Sequence, residues 1–203
     1  MYAHSLSAFT QPMTIIHPGE YLATGDDIII ATVLGSCIAV TLKDDGAGIG
    51  GMNHFMLPGE ARFGGQDGRP LSFAADDARY GVHAMELLIN ALIALGCRKG
   101  RLKAKVFGGG SVLGRGGSGL DRVPNGNIEF AFEYLKSEAI PVVSSDVGGS
   151  EARKILFFVR DGKILLKRIA GTLIKAMELE EDSYAGRIGA KERAAGNATF
   201  PER

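Results

Sequence analysis

The stretch 28–57, IIIATVLGSCIAVTLKDDGAGIGGMNHFML, decides how this chain folds. Residues 28–33 and 36–42 are runs rich in β-branched and apolar side chains, joined at Leu34-Gly35. After a polar turn that begins at Lys43, a third run spans 48–57. The three read as neighbouring strands of one sheet. Cys37 opens the second run and His54 sits within the third.

If 36–42 and 48–57 pair antiparallel about a turn near Asp45-Gly46, paired residue numbers sum to about 91 and Cys37 lies opposite about residue 54. Residues far apart in sequence then become neighbours in space. Taken singly, a buried free cysteine commonly acts as a small inert hydrophobe, and a strand histidine as a hydrogen-bonded core residue. Taken together, a thiol beside an imidazole makes a nucleophile. Gly35 permits a tight turn that presents the sulfur, and the backbone N–H groups of Gly35 and Ser36 can serve as oxyanion support. Thr32, on the adjoining strand, is the candidate that orients the imidazole. Its competing reading is a β-branched residue filling a strand.

Working outward, residues 1–14 lack periodicity and read as an N-terminal extension. Val82, Met85, Ile89, Leu92 and Ile93 recur at helical spacing, with Asp76 or Asp77 as cap and Gly96 as stop. Residues 102–107 alternate as a half-buried strand, and the glycine-rich 107–126 follows, where backbone can approach another group closely. Asn127 reads as the N-cap of a second helix whose apolar face carries Ile128, Ala131, Phe132 and Leu135. A strand at 141–146 leads to the runs 154–160 and 163–169. Asp161-Gly162 between those runs suggests a two-residue type I′ hairpin. Strands, helix, strand, helix, strand and hairpin in that order predict an α+β class, a layered α/β sandwich with a mixed β-sheet packed by two main helices.

Composition narrows the functional classes. The chain has 203 residues, with 23 Lys plus Arg against 23 Asp plus Glu, so no global field draws it to nucleic acid or to an anionic membrane surface. Its apolar runs are far shorter than the ~20 residues needed to span a bilayer. Two cysteines, Cys37 and Cys97, are too few for a disulfide framework, which favours a reduced, cytoplasmic setting. Cys37, His54, His83 and Cys97 show no CxxC or HxxxH spacing, so no metal is expected. The FGGG at 107–110 opens neither a phosphate loop nor a dinucleotide fingerprint, so no cofactor is expected. The sequence after Ala170 is charged and poor in large apolar residues.

Several blocks of the chain resemble the chemoreceptor glutamine deamidase family, CheD. They are TVLGSCIAV (32–40), GGMNHFMLP (50–58), RYGVHAMELLINAL (79–92), KVFGGG (105–110), SSDVGGSEARKILF (144–157) and GKILLKRI (162–169). They stand in the family's order and cover about residues 15–170, which suggests a deamidase domain over 15–170 and a charged tail over 171–203. The resemblance implies a cytoplasmic protein-glutamine glutaminase of chemotaxis. Its nucleophile would be Cys37, its acid/base His54 and its third member Thr32. It would hydrolyse receptor glutamine side chains to glutamate and release ammonia. Some members of the family are linked to receptor methyl-ester hydrolysis as well. The implied partner is the helical coiled coil of methyl-accepting chemotaxis receptors, approached by a monomer without membrane insertion. Asn53, Phe107, Gly108 and Gly109, with the 59–70 loop, are the expected walls of a groove for the substrate side chain. The other function that the resemblance allows is a non-catalytic module that docks on and stimulates a CheC-type phosphatase.

Overall fold

The computed structural model describes residues 9–57, 75–112 and 122–169, together with Ser183. The 59–70 loop, most of the 111–126 segment and all of the 171–203 tail but Ser183 fall outside the described residues. Among the described residues, nine strands and two α-helices follow in the order β1 (Met13–Ile15), β2 (Tyr21–Thr24), β3 (Ile29–Leu34), β4 (Ile38–Asp44), β5 (Ile49–Phe55), α1 (Ala75–Ala94), β6 (Lys103–Gly108), α2 (Arg122–Ser137), β7 (Val142–Val147), β8 (Ala152–Phe158) and β9 (Lys163–Ile169).

The strands form two sheets, ordered β1-β3-β8-β9 and β2-β5-β4-β6-β7. Each is mixed, since β1 runs parallel to β3 and β7 parallel to β6 while the other pairs are antiparallel. The α+β layered sandwich is therefore the fold. The single sheet expected over 28–57 is corrected to two. β3 belongs to the first sheet and β4 to the second, so the chain changes sheets across Gly35, Ser36 and Cys37.

Side-chain alternation assigns the layers. Ile30, Leu34, Ile155 and Phe157 of the first sheet meet Cys37, Ala39, Met52 and Phe107 of the second in a buried layer between the sheets. On the far side of the second sheet, Ile38, Val40, Leu42 and Phe55 pack against Met85, Leu88 and Leu92 of α1 and Phe130 and Leu135 of α2. All seven residues of β4 are buried, because it is central in its sheet and covered on both faces. Ile29, Ala31 and Leu156 form a third cluster on the outer face of the first sheet, with Phe9 and Met13 against it. Residues 9–15 thus pack on the sheet, and the Phe9 ring lies 5.4 Å from that of Phe158.

Local readings are adjusted in four places. The β4–β5 register pairs Ile38 with Phe55 and Ala39 with His54, a sum of 93 (38 + 55), two more than expected. A shift of two keeps every side chain on its face, whereas a shift of one would have reversed them all. The β8–β9 connection contains four residues between paired Phe158 and Lys163, not two. The Gly162 N–H closes it on the Phe158 carbonyl, and Gly162 alone in this loop has positive φ. α1 already runs from Ala75, upstream of the predicted cap, and stops at Ala94, just before the expected Gly96, whose φ of +106° no β-carbon would favour. α2 begins at Arg122, which places Asn127 inside the helix instead of at its N-cap.

The two helices approach closely at Gly81 of α1. A β-carbon there would fall inside contact distance of the Phe130 ring and 2.7 Å from Leu57 Cδ2. Phe130 is held edge-on to Phe55 at 5.8 Å and cannot retreat freely. Helix propensity alone would make Gly81→Ala stabilising by about 1 kcal/mol, while overpacking a filled core costs about 1–3 kcal/mol. Overpacking is the larger effect. Gly81→Ala is expected to lower the urea unfolding midpoint, and a raised midpoint would show that α2 can shift away.

Candidate active site

Thr32, Cys37 and His54 all lie in the layer between the two sheets, beside the point where the chain crosses from one to the other. Thr32 projects from β3 and His54 from β5 into the layer between the sheets, and the Thr32 hydroxyl oxygen lies 2.8 Å from His54 Nδ1. Both are buried, at 1% and 2% exposure. Cys37, fully buried, immediately precedes β4 in the same layer. It stands two residues before Ala39, the cross-strand partner of His54, which makes it a diagonal neighbour of the histidine.

The hydrogen bonds define the protonation of the ring. Thr32 has one hydroxyl proton and donates it to the Ile16 carbonyl at 2.8 Å. Its oxygen must therefore accept from His54, which places the ring proton on Nδ1 and leaves a bare lone pair on Nε2. Nε2 is buried and carries no hydrogen bond. An orphaned buried nitrogen is rare enough in a folded core to call for a physical reason. Burial, first, and the charge of nearby His17, second, hold the imidazole down to a pKa of about 3, while the Ile16 carbonyl favours the protonated form. His54 is thus neutral at physiological pH. The turn before β2 holds its backbone, since Gly19 N–H donates to the His54 carbonyl at 2.7 Å and His54 N–H to the Glu20 carbonyl at 2.9 Å.

The turn carrying Cys37 is held by its carbonyls. Those of Gly35 and Cys37 accept from the N–H groups of Gly110 and Gly109 at 2.7 and 2.8 Å. The Ser36 carbonyl accepts from Asn127 Nδ2 at 3.0 Å. This explains the FGGG sequence. Gly108 and Gly109 have φ of +113° and +64°, and a β-carbon on Gly108 would collide with the Cys37 carbonyl. Phe107 is buried against the same layer as Cys37. Asn53 lies on the helix side of β5, where its amide accepts from Val40 N–H at 3.0 Å and donates to the Ala84 carbonyl at 3.1 Å. That amide ties the sheet to α1 and does not border the layer that holds Thr32 and His54.

Arg153 is a residue that sequence reasoning missed. Its side chain is 2% exposed. One end of the guanidinium donates to the carbonyls of Gly108 at 3.0 Å and Asp146 at 2.6 Å, the other to those of Gly148 and Glu151. It also pairs with the Asp146 carboxylate at 3.1 Å. The glycine loop that grips the cysteine turn is fastened from beneath by this side chain. Arg153 shares a face of β8 with buried Ile155 and Phe157, but ARKILFF also carries Lys154, and an arginine in a strand ordinarily faces water. Cys97, by contrast, packs in the helix-side core, so the second sheet separates it from Cys37. Among the described residues, no three His, Cys, Asp or Glu side chains are grouped to hold a metal.

The family model described as CheD chemotactic sensory transduction matches residues 56–168. A Bordetella petrii protein named probable chemoreceptor glutamine deamidase CheD is 46% identical over 167 residues, covering 81% of this chain and 70% of that protein. A Janthinobacterium protein of the same name is 43% identical over 182 residues, covering 89% and 85%. A Dechloromonas aromatica protein named probable chemoreceptor glutamine deamidase CheD 1 is 44% identical over 173 residues, covering 85% and 81%. Among solved structures, the Bacillus licheniformis hypothetical protein YfiH is 16% identical, with a TM-score of 0.34 over 64% of this chain and 50% of that one, too slight a likeness to carry an argument.

The buried imidazole has a consequence for stability. Its folded pKa of about 3 lies below the ordinary 6.5. As pH falls through 6.5 the unfolded chain binds a proton that the native state refuses, so this contribution is complete above 6.5 and is lost as pH falls toward 3. Between pH 7 and 5 the loss is about 2 kcal/mol. Guanidinium unfolding of the wild type and of His54→Gln at both pH values should show that difference in the wild type only. Equal pH dependence in the two proteins would mean that His54 titrates normally.

Proposed function

The chain belongs to the CheD family, and we propose that it converts glutamine side chains of chemoreceptors to glutamate through Cys37, His54 and Thr32. The activity follows from the family. The choice of residues is carried by one observation, a buried neutral histidine whose Nδ1 proton is committed to Thr32 and whose Nε2 faces no hydrogen-bond partner.

Such a ring is a general base. His54 Nε2 takes the Cys37 thiol proton as the sulfur attacks the amide carbon, and the C–O π electrons move to oxygen. Backbone N–H groups of the 35–37 turn support that oxyanion, and the bonded carbonyls on its other side keep it from rotating. The protonated Nε2 then gives its proton to the departing nitrogen, so ammonia leaves and a thioester remains. Water, losing a proton to Nε2, attacks the thioester. The tetrahedral adduct expels the Cys37 sulfur, which recovers its proton, and glutamate is released. Thr32 exchanges no proton in this sequence; it fixes the tautomer and the ring plane.

Because burial keeps His54 neutral, proton transfer accompanies attack and no thiolate–imidazolium pair is needed beforehand. A non-catalytic docking module has no use for a desolvated base, which favours the enzyme over a partner that only stimulates a CheC-type phosphatase. Among the described residues no helix is long and apolar enough to cross a membrane. We place the protein in the cytoplasm, acting as a monomer on the helical cytoplasmic part of the receptors.

Incubation with receptor cytoplasmic fragments should add about 1 Da per modified glutamine, as NH₂ is replaced by OH through the acyl-enzyme. Cys37→Ala should abolish the mass gain, and His54→Ala should slow it by about 10²–10⁴-fold. Thr32→Val, which keeps the side chain's shape and removes the hydroxyl, should cause a smaller loss. Full activity of Cys37→Ala or His54→Ala would overturn the assignment.

A further inference from the structure

A second buried amide bears on the same reaction. Asn127 is fully buried in the second turn of α2, a place where asparagine weakens a helix. Its two polar ends reach two separate segments of the chain. Nδ2 donates to the Ser36 carbonyl at 3.0 Å, and Oδ1 accepts from the Leu57 N–H at 2.9 Å. Ser36 adjoins Cys37, and Leu57 lies three residues beyond His54. One side chain thus joins the turn that carries the sulfur to the end of the strand that carries the base.

We propose that Asn127 is a positioning residue for the deamidation, setting the orientation of the Ser36–Cys37 peptide and its distance from the exit of β5. The proposal rests on the Cys37–His54 reading above. A peptide unit is planar and trans, so its N–H points opposite to its carbonyl. With the Ser36 carbonyl drawn to α2, the N–H of Cys37 is turned away from the helix. That N–H belongs to the turn proposed to meet the oxyanion, and its direction matters most when charge develops on the substrate oxygen. The Leu57 bond does the matching work on the other strand: β5 ends at Phe55, and beyond it no sheet pairing fixes Leu57. One point needs a donor and the other an acceptor, and the Asn127 side-chain amide carries both in one group.

The test compares Asn127→Asp and Asn127→Ser with the wild type and with Cys37→Ala on a receptor fragment. Active sites are counted as the Cys37 thiol that is protected from iodoacetamide in the native protein and alkylated only after denaturation, located by peptide mass mapping. The aspartate variant keeps an acceptor for Leu57 and sets a second acceptor against the Ser36 carbonyl; the serine variant is small and uncharged, so it reads out the clamp if the first does not fold. The expected result is a kcat per titrated thiol lowered by about 10- to 100-fold with KM within about two-fold of wild type. A purely structural asparagine would lower the melting temperature and leave kcat per titrated thiol unchanged. That outcome, alongside an inactive Cys37→Ala, would overturn the clamp alone. An active Cys37→Ala would overturn the reading beneath it as well.

Discussion

The site depends on the passage of the chain from one sheet to the other within Gly35, Ser36 and Cys37. A turn that short cannot satisfy its own carbonyls and must borrow donors from elsewhere. Gly110, Asn127 and Gly109 provide them in succession. Because Gly109 and Gly110 follow β6 while Asn127 lies on α2, the crossing can form only when β6 and α2 are in place. The turn that carries Cys37 is thus held by the tertiary fold and not by its own sequence.

A site between two sheets is dry, and dryness sets the acid–base chemistry. Three side-chain atoms among the described residues are buried without a hydrogen bond: Lys43 Nζ, His54 Nε2 and Arg153 Nε. For Arg153 the rest of the guanidinium is fully engaged. Burial lowers the Lys43 pKa, with Asp45, Cys97, Asp44 and Asp161 opposing it, and its stem packs along Gly50 and Gly162. His54 has no carboxylate among the groups that shift its pKa, so desolvation acts on it without opposition from an opposite charge. His54 and the buried Lys43 share one layer and differ in their charged neighbours.

Much of this was legible in the sequence because strand parity is robust. Cys37 and His54 fall on one face whether the β4–β5 sum is 91 or 93, so the pairing survived a register wrong by two. Thr32 was legible as a neighbour of the turn, though not that it would reach across from a different sheet. The division into two sheets was hidden since β3 and β4 are both buried on both faces, and such strands look alike in a sequence. Asn127 and Arg153 were hidden for another reason. Asparagine near a glycine-rich segment ordinarily caps or turns, and arginine in a strand ordinarily faces water, so local rules assign both to the surface. Their partners are 91 and 45 residues away at the longest bonds, beyond the reach of any local pattern.

In the proposed mechanism, a threonine in place of a carboxylate beside the histidine follows the same physics. A carboxylate at Nδ1 would stabilise the imidazolium by a charge–charge interaction that is strong in a dry layer. His54 would then hold the thiol's proton at rest and return it reluctantly. A hydroxyl whose own proton is given to the Ile16 carbonyl fixes the tautomer equally well and adds no negative charge. The resulting imidazolium is short-lived, and its proton passes readily to the leaving nitrogen. For an amide, whose nitrogen departs only once protonated, a base that gives up its proton quickly suits the chemistry better than one that stores it.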